Sequence, residues 1–226
     1  MGKASRRRAE NRSTGSEGRR ARSRVRPAGP ADAERVQQLM ELVEWSDPSM
    51  PSRMAAALRQ GYRPQTPGLY VALVAEDADG LVAGALTAGP PMDFAAGSGA
   101  VGPGYRDLVA RRIVDLEAVA VDSERRGRGL GAELIDAAVN QFRHSGYRLM
   151  TGSFQASRGY LAPYYERRGF TVLEAGEPLV LAASGIGGAA WPATSDMRQM
   201  WQGIVPGVAL AGRIPRQTIG GVLDQP

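Results

Sequence analysis

The sequence predicts a mixed α/β (α+β) domain in which strands and helices share one core, and three observations carry that prediction. Leu69–Ala75 and Leu81–Ala88 are apolar runs joined by Glu76-Asp77-Ala78-Asp79-Gly80, the pattern of two strands meeting at a polar turn. A third alternating run, Ile113–Val121, leads through a polar turn and an Arg/Gly loop into residues 129–145, where Leu130, Leu134, Ala138 and Phe142 recur every four positions. With 226 residues and 43% hydrophobic side chains, the chain is long enough for one full domain with its own core plus tails.

Taken in order, residues 1–24 are Arg, Ser, Gly and Glu with almost nothing apolar, so they are expected to form a disordered tail. Val25–Ala28 reads as a first strand. Asp32 can cap a helix carrying Val36, Leu39, Met40 and Val43 on one face, Asp47-Pro48 ends it, and Ser52 starts a second helix running to Gly61. After the hairpin, residues 89–104 are rich in Gly and Pro and suit a substrate-side loop. Gly146 stops the long helix, Tyr147–Phe154 forms the next strand, and residues 162–168 form a short helix with Pro163 in its first turn. Phe170–Ala182 reads as a strand interrupted near Gly176, residues 184–190 as a linker, and Met197–Ile204 as a last strand. The expected organisation is therefore a tail at 1–24, a domain at 25–204 and a C-terminal tail at 205–226.

Composition removes several chemistries. The sequence contains no cysteine, which excludes disulfides, Cys-ligated zinc and thiol nucleophiles. Its single histidine, His144, argues against a His-based metal site or a Ser-His-Asp triad, and no metal is expected. No stretch has the ~18 consecutive apolar residues of a membrane-spanning helix and no secretory signal is present, so a cytoplasmic location is expected. The formal net charge of +5 is a property of the N-terminus. Residues 1–26 hold ten basic and two acidic side chains, net +8, leaving 18 basic and 21 acidic in the remaining 200, net −3. An Arg-rich arm of this kind can contact nucleic acid or another polyanion through its phosphates, or can simply solubilise the chain.

Arg126-Gly127-Arg128-Gly129-Leu130-Gly131 places backbone amides, two guanidinium groups and a helix N-terminus together, which favours a phosphate. The loop is not GxxxxGK[ST], because no Lys follows these glycines. Gly127, Gly129 and Ala132 do satisfy GxGxx[GA], the dinucleotide fingerprint. Five polar residues separate that loop from its strand, however, and the next strand lacks the acidic residue expected ~20 positions on. The combination of Arg126-x-x-Gly129-x-Gly131 after a strand Leu116–Val121, with Tyr164-Tyr165-Glu166-Arg167-Arg168-Gly169-Phe170 further on, resembles the GNAT superfamily of N-acetyltransferases. The family pattern is [RQ]xxGx[GA] followed by a helix reading "FYEKLGF".

That resemblance implies the GNAT fold, a central mixed, mostly antiparallel sheet flanked by helices with a V-shaped opening at the central strands. It implies acetyl-CoA as cofactor, a pantetheine arm against the backbone of Val119, Ala120 and Val121, and a pyrophosphate on Arg126, Gly127, Arg128, Gly129, Leu130, Gly131 and Ala132. Arg158 stands where relatives often carry Asn and is expected to replace that contact. Tyr165 matches the Tyr that protonates the departing thiolate, with Tyr164 a packed aromatic. Asp115 and Glu117 are the two carboxylates expected on one face of the strand, each a candidate base for the amine or a solvent-facing charge paired with Arg111 or Arg112; the longer reach of Glu117 suits a water relay. The implied reaction is direct transfer to a primary amine of a small molecule or peptide. The alternative is a non-catalytic acyl-CoA-binding or nucleic-acid-associated module. An exposed last strand offers an edge for pairing with a second copy.

Overall fold

The structure, a computed structural model, describes residues 23–61, 68–91, 103–181, 189–214 and 216–220. Most of the Arg-rich tail and residues 92–102 of the expected substrate-side loop at 89–104 lie outside the described residues.

Eleven strands among the described residues form two sheets. In the larger, β1 (Arg24–Pro27), β2 (Val71–Glu76), β3 (Val82–Gly89), β4 (Ile113–Val121), β5 (Leu149–Gln155), β9 (Met197–Gly203) and β6 (Thr171–Val172) are neighbours in that order. Every adjacent pair is antiparallel except β4 and β5, so the sheet is mixed and mostly antiparallel as expected. The parallel pair is joined by α4 (Leu130–His144), the crossover that a parallel connection requires. One face of the sheet is covered by α4, whose Leu130, Leu134, Ile135, Ala138 and Phe142 enter the core with Leu86, Leu116 and Met150. On the other face α1 (Ala33–Met40) and α2 (Met50–Arg59) bury Val36, Leu39, Met40 and Leu58 against Ala85, Ala118 and Ala120. Small residues on these central strands let both helical layers approach closely.

Three segments differ from the sequence expectation. Pro103–Arg112 is a helix, α3; the expected loop reaches only its first two residues, and 105–112 carry no assignment in the sequence reading. Its buried Val109 and Ala110 follow Leu108 directly, so no four-residue spacing announces the helix. The run from Phe170 is divided: β6 joins the large sheet, while β7 (Leu179–Leu181) crosses to the second sheet after the turn at Gly176. The expected C-terminal tail contains β10 (Ala209–Ile214) and β11 (Arg216–Gly220), which complete a sheet of order β10-β11-β7-β8 with β8 at Ala189–Trp191. Ile219 is 1% exposed beside Leu181, Val109 and Trp201, so this sheet closes a second core under α3. Short strands with mixed polar residues and a parallel β11–β7 pairing leave no local period to read.

Two polar clusters, one partly buried and one buried, fix the frame. The Arg26 guanidinium forks onto Asp32 at 2.7 and 2.9 Å and reaches Glu76 at 2.6 Å, tying α1 to β1 and β2. The Tyr147 hydroxyl donates to Ala110 O at 2.8 Å and accepts the Leu69 N–H at 2.6 Å, joining α3 to the chain entering β2.

Candidate functional site

β4 pairs with β3 from Asp115 to Val121 but with β5 only from Ile113–Leu149 to Leu116–Gly152. Beyond that point the two central strands part, giving the V-shaped opening. The β3–β4 register shifts there as well: Thr87 faces Ala118 and Ala88 faces Leu116, so Glu117 is an extra residue, a β-bulge. The bulge reverses which residues face which helical layer. Val114 and Leu116 pack with α4 before it, Val119 and Val121 after it, while Ala118 and Ala120 face α1 and α2. Asp115 and Glu117 alternate with Val114 and Leu116, so both fall on the side away from α4, and Ala118 continues on that side after the bulge.

Backbone direction along the opening follows from one bond. Asp122 N–H donates to Ala83 O at 2.8 Å, so Ala120 and Ala118, spaced by two, also turn their amides toward β3. The N–H and C=O groups of Val119 and Val121 consequently face the opening. Arg126 Nε donates to Val121 O at 3.2 Å from that side. Of the three strand residues expected to hold an extended ligand arm, Ala120 is the one whose backbone faces away.

At the mouth of the opening the chain makes a tight turn. Asp122 accepts the Glu124 N–H at 3.0 Å and is paired with Arg35, which holds its carboxyl below the usual carboxylate range. Gly127 and Gly129 then adopt left-handed φ of +76° and +91°, conformations that favour glycine. No atom lies within 4 Å of a Cβ built on either, so both face open space. Gly129 O receives the Ala132 and Glu133 N–H groups at 2.9 and 3.0 Å, starting α4. The N–H groups of Leu130 and Gly131 precede any intrahelical acceptor and carry the positive end of the helix dipole. With the exposed guanidinium groups of Arg126 and Arg128 alongside, the loop has the donors, charge and clearance that a pyrophosphate needs.

The short helix α5 (Leu161–Glu166) brings two tyrosines to this region. The Tyr165 ring lies 5.7 Å from both Phe154 and Phe170 and 5.1 Å from Tyr164, and burial pushes its phenol well above the ordinary value. Tyr164, read from sequence as packing alone, is closer to the loop. Its hydroxyl would lie 2.7 Å from a Cβ on Gly131, with Val121 Cγ2 at 3.5 Å. Arg168 sits 3.6 Å over its ring and donates to its carbonyl at 2.6 Å. Burial raises this phenol too. The motif aligns Tyr165 with the family Tyr and Tyr164 with its Phe, but the approach of Tyr164 to Gly131 depends on how α5 packs against α4, which no local pattern reports.

The carboxylates are presented differently. Asp115 is half-buried and accepts a bond from Thr151 Oγ1 at 2.9 Å, one rung before β4 and β5 part. Glu117 is exposed at the bulge and lines a cavity of about 510 Å³ bounded by α1, α2 and β2. Arg158, expected at the cofactor, is engaged by Glu44 at 2.6 Å, which raises its guanidinium pKa. His144 sits exposed at the end of α4 against Asn140 O, the helix-end position its sequence context indicates. Among the described residues no cluster of His, Cys, Asp or Glu suits a metal, and no helix is long and apolar enough to cross a membrane.

Residues 35–170 match the family model described as Acetyltransferase (GNAT) family. No curated protein matches the chain significantly in sequence. Solved structures share the fold at low identity. A GCN5-related N-acetyltransferase from Kribbella flavida is 20% identical with a TM-score of 0.55, covering 80% of this chain and 97% of its own. yncA from Salmonella typhimurium, solved with its cofactor acetyl-CoA, is 19% identical with a TM-score of 0.54, covering 85% and 99%. YhbS from Escherichia coli, a GNAT family N-acetyltransferase in complex with CoA, is 20% identical with a TM-score of 0.53, covering 88% and 89%.

Proposed function

The chain belongs to the Acetyltransferase (GNAT) family, and from that premise we propose that it transfers an acetyl group from acetyl-CoA to a primary amine by direct attack. The observation that carries this reading is the parting of β4 from β5 after Leu116, with the amides of the Gly127–Gly131 loop at its mouth. The loop amides, Arg126 and Arg128 hold the pyrophosphate, and the Val119 and Val121 backbone groups pair with the pantetheine amides as a further strand would. Acetyl-CoA supplies the thioester: the amine nitrogen forms the new C–N bond to the acetyl carbon, the C–S bond breaks, and CoA leaves as the thiol.

The chain's own residues manage the protons. An ammonium has no lone pair, so a carboxylate must first take its proton, directly or through water. Glu117 fills that role because it is exposed at the bulge and opens on the cavity beside α2. Asp115, bonded to Thr151, is the second carboxylate within the same strand and supports the β4–β5 junction. Tyr165, whose phenol is protonated at neutral pH, supplies the thiol proton, and the proton the nitrogen sheds as the amide forms restores the phenol.

Thiol release from acetyl-CoA in the presence of a panel of primary amines tests this reading. Tyr165→Phe keeps the ring stack and removes only the hydroxyl, so kcat falls about 10²–10⁴-fold if that proton transfer is catalytic. Glu117→Gln is expected to lose a similar factor and Asp115→Asn less. Absence of amine-dependent thiol release for every amine defeats the proposal.

A further inference from the structure

The cavity beside Glu117 has an unusual balance of surfaces for an amine site. Its volume, about 510 Å³, falls in the ordinary range of small-molecule sites, roughly 300–1,000 Å³. Met50, Met54 and Ala57 follow one another along one face of α2, with Leu58 beside them and Val36 from α1 opposite. Both methionines are only partly buried, so two flexible thioethers are presented to the space and can mould to an apolar group. Among the described residues its lining carries one carboxylate, Glu117, and one guanidinium, Arg53. Arg53 lies on the exposed side of α2 with 68% of its side chain accessible, turned to Asp47 at 3.2 Å.

We infer that the acceptor is a monoamine with an uncharged apolar body, an arylalkyl or aliphatic amine or an amino-acid amide, and not a polycation. The inference rests on the acetyl-transfer reading above and specifies what that site accepts. A single ammonium has one acid to meet, and a carboxylate with two oxygens can take it in addition to other donors. A polyamine or aminoglycoside would bring several further cations into a space walled mostly by thioether and alkyl groups, whose uncharged polar side chains, Tyr70, Thr87 and Gln141, carry no charge to pair with them. Each buried charge without a partner loses hydration that nothing returns. The other ionised group among the described residues of the wall, Arg53, repels a second cation. The apolar body, in contrast, gains by leaving water along α2 and the β2 face.

The test is competition among acceptors. The wild-type protein is given acetyl-CoA with phenethylamine, methioninamide, spermidine or kanamycin, thiol release is followed for each, and CoA binding is measured in parallel by calorimetry. The expected result is kcat/KM for phenethylamine and methioninamide at least about tenfold above that for spermidine and kanamycin. Met54→Glu is expected to lower the two apolar values about tenfold and to narrow or reverse the ranking, with CoA affinity retained as the sign of an intact fold. Met50→Glu, at the start of α2, serves if Met54→Glu does not fold.

Equal or higher kcat/KM for the polycations overturns the inference, as does an unchanged ranking in a folded variant. CoA binding without turnover of either apolar amine also overturns it, while leaving the cofactor site in place. Loss of CoA binding itself removes the acetyl-transfer reading and the inference with it.

Discussion

Gly129 is the residue on which the loop geometry turns. Its φ of +91° and ψ of −7° are readily held only by glycine, and its Cβ position is empty to 4 Å. Gly129→Ala therefore meets no steric clash; its whole effect is conformational. Keeping the left-handed backbone with a Cβ costs about 1–2 kcal/mol. Relaxing to negative φ avoids that cost but rotates the amides of Gly129 and Leu130 away from the mouth of the opening. One lost charge-assisted hydrogen bond is worth about 1.5–3 kcal/mol, equivalent to a roughly 10- to 150-fold rise in the Kd for CoA. Calorimetry with CoA and thermal unfolding read the two outcomes separately: lower stability with near-normal affinity, or normal stability with weakened binding. A folded Gly129→Ala protein that matches wild type in both measurements refutes the role given to this loop.

Other substitutions probe neighbouring parts. Gly131→Ala places a methyl 2.7 Å from the Tyr164 hydroxyl and is expected to destabilise by about 1–3 kcal/mol. Adding Tyr164→Phe should recover most of that loss in chemical denaturation; no recovery would show that the contact is not the cause. The Asp32 carboxyl is held low first by its bond from Arg26, and Asp122 first by Arg35. Because both folded values lie below the unfolded value of about 3.9, their stabilisation is present above it and is lost as pH falls through the folded values. Arg26→Ala should cost about 1–3 kcal/mol at pH 7, and the gap from wild type should shrink below about pH 4; a pH-independent gap contradicts the assignment. Tyr147→Phe severs the link between Ala110 and Leu69 and should cost about 1–3 kcal/mol in urea unfolding, a loss whose absence would remove that link from the frame.

The parts of the site legible in the sequence are those where local chemistry and tertiary structure agree. Leu130, Leu134, Ala138 and Phe142 lie on one helical stripe and all are buried together. Gly127 and Gly129 sit where the backbone adopts positive φ, so the loop and the start of α4 could be read from the glycines together with the strand before them and the helical stripe after them. The bulge at Glu117 could not, because Ala118, Val119 and Ala120 are all apolar and an extra residue leaves the hydrophobic pattern unbroken. Tyr164 and Tyr165 are adjacent in sequence, and their different surroundings, Gly131 for one and Phe154 and Phe170 for the other, come from tertiary packing. The engagement of Arg158 by Glu44 and the second sheet both join segments distant in sequence, where no local period reports a partner. α3 was hidden by its own apolar cluster at Leu108–Ala110.

The most direct measurement of the central claim is a crystal structure of the protein with CoA. The account predicts the pyrophosphate within about 2.7–3.2 Å of the amides between Gly127 and Ala132, and the pantetheine arm along Val119 and Val121 with its sulfur toward Tyr165. CoA bound away from the β4–β5 opening, or lying there without contact to the loop amides, contradicts it.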